Sequence, residues 1–544
     1  MAIASPFSFV EILSRDDTMF EITGARHINR KELLLIPRVP VPKQPPEERV
    51  FNFHEVYLGY NEETVKIEAA RCIQCPEPQA CLTACPVHND IPLAMWHTAR
   101  GEFKEGYLAF RKHSTMSEVC GRVCPQERLC QGSCVVGAYE PPVYIGKVEY
   151  FLADWVRREG LYDEILEQEQ QPPTGRTVAI VGSGPAGLHA AELLALKGHH
   201  VDVYERHPRP GGLLMYGIPD FKLEKDKVKG LVERCEKAGV RFICNTTVNE
   251  PGHPHVEDLL YEYDAVLIAI GAEIPATMGT EGEDLPGVWK SLDFLIALNL
   301  PEEMYPPGLE RPDIEGKTVM VVGGGDTSSD CVRTAVRAGA GRVILSYRRS
   351  EAEMPGREED RQFAKEEGVE YEFLTQPVRF IPGPDGRLAQ VELRRMKLGE
   401  PDKSGRRRPV PIPGSEFITD VDIVVLALGF WPDEKFAKSI PDLETKRWGE
   451  ILVDSETGMT SRIGLWAAGD AVNGADLVVT AMAGARKAAD SIHEYLLELS
   501  REYEELGVQP PQPPENPPGL IQQCASTFVV TTPERRPVKL DRIF

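Results

Sequence analysis

Residues 176–206, RTVAIVGSGPAGLHAAELLALKGHHVDVYER, and residues 317–349, KTVMVVGGGDTSSDCVRTAVRAGAGRVILSYRR, repeat one pattern. Each is an apolar run of strand length, a glycine-rich turn, a helix-length stretch and a second apolar run. A parallel βαβ unit reads this way. Further apolar runs, YDAVLIAIGA (263–272) and VDIVVLALGF (421–430), follow the two copies at similar intervals. The chain therefore carries two related nucleotide-binding units.

The first turn is G-S-G-P-A-G. Gly182 permits the tight turn, Gly184 lets the backbone approach a pyrophosphate, and Gly187 lets helix and strand pack closely. A helix opening at Pro185 and Ala186 aims its N–H groups at the phosphates. Glu205 ends the next strand, where an acid accepts ribose hydroxyls. The second turn, G-G-G-D-T-S, has Gly323 and Gly325, with Ser328 in place of the third glycine. Its following strand ends in Arg348 and Arg349 instead of an acid. Guanidinium groups there suit a 2′-phosphate, which selects NADP(H) over NAD(H); the plainer reading is two solvated arginines. An acid-capped and an arginine-capped site together suggest FAD and NADP(H). In GLWAAGDAVNGADLVVTAMAGARKAA (464–489), a strand places Asp470 at its end and a helix opens near Leu477 to Thr480. That helix N-terminus can face a flavin carbonyl, or it is an ordinary core helix.

Twelve cysteines are unevenly spread, eight of them between 72 and 134. In a reducing compartment such clusters point to metal rather than disulfides. Cys235, Cys244, Cys331 and Cys524 read as scattered core or surface residues. The first run, Cys72, Cys75, Cys81 and Cys85, is C-x2-C-x5-C-x3-C-P. It lengthens the two-cluster ferredoxin run, whose fourth cysteine serves the other cluster. Four-cysteine zinc is the simpler alternative, but a flavin that takes hydride needs a one-electron outlet, which zinc cannot be.

The net charge of −23 argues against a nucleic-acid partner. No run nears the roughly 18 apolar residues of a membrane span, and the N-terminus lacks a signal-peptide pattern. A cytoplasmic location is expected.

The collinear order of cysteine runs, G-S-G-P-A-G, GGLLMYGIPDFKLEK (211–225), GGGDTSSD, YRRSEAEMPG and AAGDAVNGADLVVTAM resembles the glutamate synthase small (β) subunit family. RVPVPKQPPEERVFNFHEVYLGYNEETVKIEAARCIQC is most similar to the branch holding the large subunit of NADH-dependent ferredoxin:NADP oxidoreductase. The resemblance spans residues 40–495. It implies an α/β fold with disulfide-reductase-like tandem Rossmann-type FAD and NADP(H) domains. A mainly helical domain with two [4Fe–4S] clusters would precede them. It carries flavin contacts onto Gly184, Pro185, Ala186, Glu205, Gly212, Leu213, Gly469, Asp470 and Thr480, and nicotinamide-nucleotide contacts onto Gly325, Asp326, Thr327 and Arg348. By the family pattern, Cys72, Cys75, Cys81 and Cys134 hold one cluster, and Cys85, Cys124 and Cys130 the other. The family uses a Gln or Glu about fifteen residues past the last cysteine, where this chain has Glu149. Glu149 is thus expected as the eighth ligand and Cys120 as the spare, although Cys120 could complete the cluster instead.

The expected organisation is an N-terminal arm (1–60), a helical iron–sulfur domain (61–166), a first FAD segment (172–299), an NADP(H) domain (300–430), a second FAD segment (431–500) and a Pro-rich tail (501–544). The expected function is NADPH-dependent electron transfer between NADP(H), FAD and two [4Fe–4S] clusters. The other end of the path is a partner: a glutamate synthase large subunit-like chain, a ferredoxin or a second flavoprotein subunit. The rival is a non-enzymatic relay or assembly subunit, against which the intact glycine motifs argue. A thioredoxin-reductase-like enzyme is excluded, because no C-x-x-C pair follows residue 134. The basic run SGRRRP (404–409) reads as a solvated hairpin tip or a partner contact.

Overall fold

A computed structural model describes residues 29–506. The first 28 residues, nearly all of the expected tail and Cys524 lie outside the described residues. The chain divides into two compact units: residues up to 42 with 58–162, and residues 43–57 with those from 163 onward.

The first unit is helical: α1 (Glu62–Ala70), α2 (Ala80–Ala84), α3 (Ile91–Ala99), α4 (Phe103–Arg111), α5 (Ser117–Val123) and α6 (Ile145–Arg158). Asn61 opens α1 through a capping box. Its side chain accepts from Thr64 N at 2.9 Å, and the Thr64 hydroxyl accepts from Asn61 N at 3.1 Å. Asp90 opens α3 by accepting from Leu93 N at 3.1 Å. One buried carboxylate ties the unit together: Glu68 accepts from Val39 N and Tyr144 N, each at 2.8 Å, and from Arg71 at 2.9 Å. The described part of the expected extended arm, residues 29–60, is more structured than its Pro-rich sequence suggests. It forms helical turns at Arg30–Leu33 and Pro46–Arg49, and its residues divide between the two units.

The second unit begins with β1 (Thr177–Val181), α7 (Pro185–Leu196), β2 (His200–Tyr204), α8 (Lys225–Lys237), β3 (Arg241–Ile243) and β4 (Ala265–Ile268). Next come β5 (Ile274–Pro275), β6 (Val288–Lys290), α9 (Ser291–Asn299), β7 (Thr318–Val322), α10 (Asp326–Arg337), β8 (Arg342–Tyr347), α11 (Glu358–Glu366) and β9 (Glu370–Phe373). An antiparallel insertion follows, made of β10 (Thr375–Pro382), β11 (Leu388–Pro401), β12 (Arg407–Pro411) and β13 (Phe417–Asp420). The chain closes with β14 (Ile423–Leu426), β15 (Phe430–Trp431), β16 (Leu465–Ala467) and α12 (Val478–Leu506).

These strands make two five-stranded parallel sheets, ordered β16-β4-β1-β2-β3 and β6-β14-β7-β8-β9. The inner strands are apolar and buried throughout, as parallel strands covered on both faces must be. In each sheet the strand order reverses beside the first strand of the motif, the place where such sheets bind ligands. A two-stranded antiparallel ribbon, β5 with β15, carries the chain between the sheets. This corrects the expected boundary at 299/300. Strand β6 pairs with β14 in the second sheet, so that layer begins before residue 290. The run around 288–299 has no composition break, and only its pairing assigns it. The second boundary, at 430/431, falls within β15. Helix α12 continues to Leu506, past the expected start of the tail at 501. Among the described residues no helix is long and apolar enough to cross a membrane.

Candidate functional site

The first cradle lies where β1 and β4 diverge. Gly182 turns with φ +101°, and a Cβ there would lie 2.5 Å from Ala269 O, which follows β4. A Cβ on Gly187 would lie 2.0 Å from Gly182 O. Both glycines are demanded by close backbone approach. Gly184 differs: a Cβ would meet nothing within 4 Å. It caps α7 and borders a cavity of ≈270 Å³. Gly182, Pro185, Ala186, Glu205, Gly212, Leu213, Gly469 and Asp470 line the same cavity.

Glu205 is held by three donors. Ser183 N (3.1 Å) and the Ser183 hydroxyl reach Oε2, and His207 N reaches Oε1 at 2.8 Å. A carboxylate has about four acceptor sites, so Oε1 keeps one free for a ribose hydroxyl. The Ser183 hydroxyl also accepts from Gly211 N at 3.0 Å, which fastens the glycine turn to the GGLL loop. Ser183 is a site residue that the motif reading passed over. So are Glu273 and Asp476, which face the cavity with Asp470. Burial, with Asp476 and Glu273 adding negative charge, pushes the Asp470 carboxyl up to about 7. Thr480 is not among the cavity residues. At the mouth of α12 the lining comes from Asp476, Leu477, Val478 and Ala481.

The second cradle repeats this geometry at β7 and β14. A Cβ on Gly323 would lie 2.3 Å from Ala427 O, and one on Gly325 would meet nothing within 4 Å. Ser328, in the third glycine's place, donates its hydroxyl to Gly325 O at 2.6 Å. The cavity here is ≈640 Å³, lined by Gly323, Gly325, Thr327, Arg348 and Arg349 among others. Asp326 is turned elsewhere: its carboxylate accepts from Arg357 N at 2.8 Å. Arg349 borders the cavity but is engaged by Asp402 and by Arg407 O, each at 2.8 Å. Arg348 is the more exposed of the pair. Arg406, from the SGRRRP run, also faces this cavity.

In the helical unit, Cys72, Cys75, Cys81 and Cys134 surround one small void, closed by Ile73, Ile91, Met95 and Val143. Residues 72–81 and 134 thus converge from both runs. Gln74, at φ +49°, donates to Cys72 Sγ at 3.4 Å. Cys85, Cys124, Cys130 and Glu149 form a second neighbourhood, with Cys120 against Cys124. Burial pushes the Cys81 thiol up to about 12 and Cys85 up to about 11. Thiolates in such a setting require cationic charge, which bound iron supplies. Helices α5 and α6 meet at glycines: a Cβ on Gly121 would lie 2.6 Å from Tyr150 N and 2.9 Å from Gly146 O, and one on Gly146 2.2 Å from Nε2 of Gln126, just past α5. That contact brings Glu149 in beside the cysteines, buried, with Oε1 lacking any hydrogen-bond partner. An orphaned carboxylate oxygen among buried thiols fits a cluster ligand. Among the described residues no three His, Cys, Asp or Glu side chains are drawn together tightly enough to hold a single metal ion.

Residues 49–161 match the family described as dihydropyrimidine dehydrogenase domain II, 4Fe-4S cluster, and residues 176–485 match the pyridine nucleotide-disulphide oxidoreductases. The glutamate synthase [NADPH] small chain of Escherichia coli strain K12 is 40% identical over 86% of this chain and 99% of its own length. The chain belongs to the glutamate synthase small-chain family. It is an oxidoreductase chain with a [4Fe–4S] domain ahead of a pyridine-nucleotide-dependent flavoprotein fold. The NADP(+)-dependent formate dehydrogenase subunit beta of Moorella thermoacetica is 38% identical over 79% of this chain and 63% of that one. Mycobacterium tuberculosis FprA in complex with NADPH, at 21% identity and TM-score 0.52, covers 62% of this chain and 87% of its own and shares the fold.

Proposed function

We propose that this chain oxidises NADPH and passes the electrons through FAD and two [4Fe–4S] clusters to a partner subunit or ferredoxin. The observation that carries this is the convergence of Cys72, Cys75, Cys81 and Cys134 on one void, in a chain that also holds an acid-capped and an arginine-capped cradle. Bound FAD exchanges hydride with a nicotinamide and single electrons with iron–sulfur centres. The protein's part is binding and orientation. Gly184 and Gly325 leave room for pyrophosphates at the starts of α7 and α10. Glu205 receives a ribose hydroxyl, and Arg348 pairs a 2′-phosphate. Cys72, Cys75, Cys81 and Cys134 hold one cluster. Cys85, Cys124, Cys130 and Glu149 hold the other, and Cys120 stays a thiol.

A partner subunit is supported by the relatives named above, which are themselves a small chain and a subunit beta. The decisive measurement is anaerobic stopped-flow mixing of the reconstituted holoprotein with NADPH. The flavin's visible absorbance is expected to bleach, followed by the electron paramagnetic resonance signal of reduced clusters. A holoprotein whose flavin ignores NADPH is a relay module, and the proposal fails.

A further inference from the structure

Most of the SGRRRP run is an exposed hairpin tip, but Arg406 within it borders the nucleotide cavity. Strands β11 and β12 pair antiparallel, Leu398 with Pro409 and Pro401 with Arg407, with a register shift between the two pairs. The turn between them closes with Asp402 N donating to Arg406 O at 2.7 Å and Gly405 N to Asp402 O at 2.9 Å. Asp402 is the turn's organiser, accepting from Ser404 N at 2.9 Å and from the Ser404 hydroxyl. Its other oxygen takes the Arg349 guanidinium at 2.8 Å, and Arg349 Nε donates to Arg407 O. Arg349 is thereby a strut. It fixes the hairpin tip to the end of β8, and the tip presents Arg406 to the cavity that Arg348 also faces.

Three guanidinium groups thus gather at one end of the cavity with a single carboxylate, Asp402, which Arg349 already occupies. Among the described residues Arg348 makes no ion pair or hydrogen bond, and Arg406 donates to the Ser404 hydroxyl at 3.0 Å. Burial together with the charges of Arg349 and Arg406 makes the protonated Arg348 less favourable than usual. Adjacent like charges that one shared carboxylate, Asp402, offsets only in part are favourable when an anion lies between them.

We propose that Arg406, carried on the β11–β12 hairpin and held there by the Asp402–Arg349 ion pair, is a second clamp on the 2′-phosphate of NADP(H), opposite Arg348. This deepens the proposed use of NADPH and rests on it. Arg349 and Asp402 act as positioning residues.

The test uses the reconstituted holoprotein with a dye acceptor. NADPH and NADH are compared as donors, and 2′,5′-ADP and 5′-AMP as competitive inhibitors. Arg406→Gln is expected to raise KM for NADPH and Ki for 2′,5′-ADP about tenfold with little change in kcat, and to leave Ki for 5′-AMP as it was. Arg406→Lys should recover part of the loss. Asp402→Asn should raise the same two constants severalfold by loosening the tip. Lys403→Gln removes one charge from the same turn outside the cavity and is expected to change neither, which separates the clamp from general attraction. If the wild type does not prefer NADPH, or Arg348→Gln leaves the preference intact, the underlying reading is wrong. If that preference holds and depends on Arg348 but Arg406→Gln leaves KM for NADPH and Ki for 2′,5′-ADP unchanged, the hairpin clamp alone is overturned.

Discussion

Glu149 and Cys120 put two residue chemistries in competition for one coordination position. Both are buried, both lie near Cys85, and Cys120 lies against Cys124. Burial pushes the Glu149 carboxyl up to about 8, so an ionised carboxylate there needs a cation beside it. Cys120 lies against Cys124 and has no such need, since a neutral thiol packs as a small apolar group. Cys120→Ser should therefore retain about eight iron atoms per chain, the content of two four-iron clusters. Glu149→Ala should fall to about half. Iron and sulfide analysis of the two reconstituted variants decides. A Cys120→Ser protein with half the iron, beside a Glu149→Ala protein with all of it, would reverse the assignment.

At the scale of elements, the second cluster site depends on how closely α5 and α6 approach. Alanine is intrinsically the better helix former, by about 1 kcal/mol over glycine. At Gly121, however, its Cβ would sit 2.6 Å from Tyr150 N and 2.9 Å from Gly146 O, both of them backbone atoms. The helices would have to part, at about 1–3 kcal/mol. Their separation would draw Glu149 away from Cys85 and Cys124. Gly121→Ala is expected to lose the second cluster while the site of Cys72, Cys75, Cys81 and Cys134 keeps its own. The readout is a paramagnetic resonance spectrum reduced to one cluster's signal. Full iron content in this variant would mean the helix contact does not position the ligand.

Across the flavoprotein unit as a whole, segments distant in sequence are joined by a buried ionic cluster. Glu367 accepts from Arg49 at 2.7 Å, Arg333 at 3.0 Å and Arg337 at 2.7 Å. Arg333 also pairs with Asp360 at 2.9 Å, and Lys222 bridges Asp330 and Asp360. The Phe221 ring lies under the guanidiniums of Arg333 and Arg337, at 4.6 and 4.2 Å from its centroid. Burial alone would raise the Glu367 pKa, but Arg333 and Arg337 outweigh it and hold the carboxyl far below its ordinary range. A carboxylate depressed in the folded state stabilises above its unfolded pKa of about 4.3, and that contribution is lost as pH falls below it. Glu367→Gln leaves three buried guanidiniums short of a counterion and should cost about 3–5 kcal/mol at neutral pH. Its unfolding midpoint should also fall less steeply than the wild type's once the pH drops below about 4.3. An unaltered acid slope in thermal melts would count against this role.

Much of this molecule is written locally. The glycines of both turns, the strand-length apolar runs and the cysteine spacings are short-range signals, and they announce a duplicated parallel-sheet unit behind a cysteine-bearing helical one. They do so because a φ of +101° at Gly182, or a 2.0 Å approach at Gly187, leaves the chain no other residue type. What the local pattern could not state is where side chains turn once the chain closes on itself. Asp326 sits at a motif position yet serves Arg357 N, and Arg349 sits at a strand end yet braces a hairpin. Arg406 reads as a solvated tip until a turn closing more than fifty residues after β8 sets it beside Arg348. Glu149 gains its place among the cysteines only through the close contact of α5 and α6. The residues demanded by backbone sterics belong to the sequence, because those constraints act within a few bonds. Charge partnerships belong to the tertiary structure: a guanidinium or carboxylate is satisfied by whichever group the fold brings within about 3 Å, and no spacing along the chain encodes that.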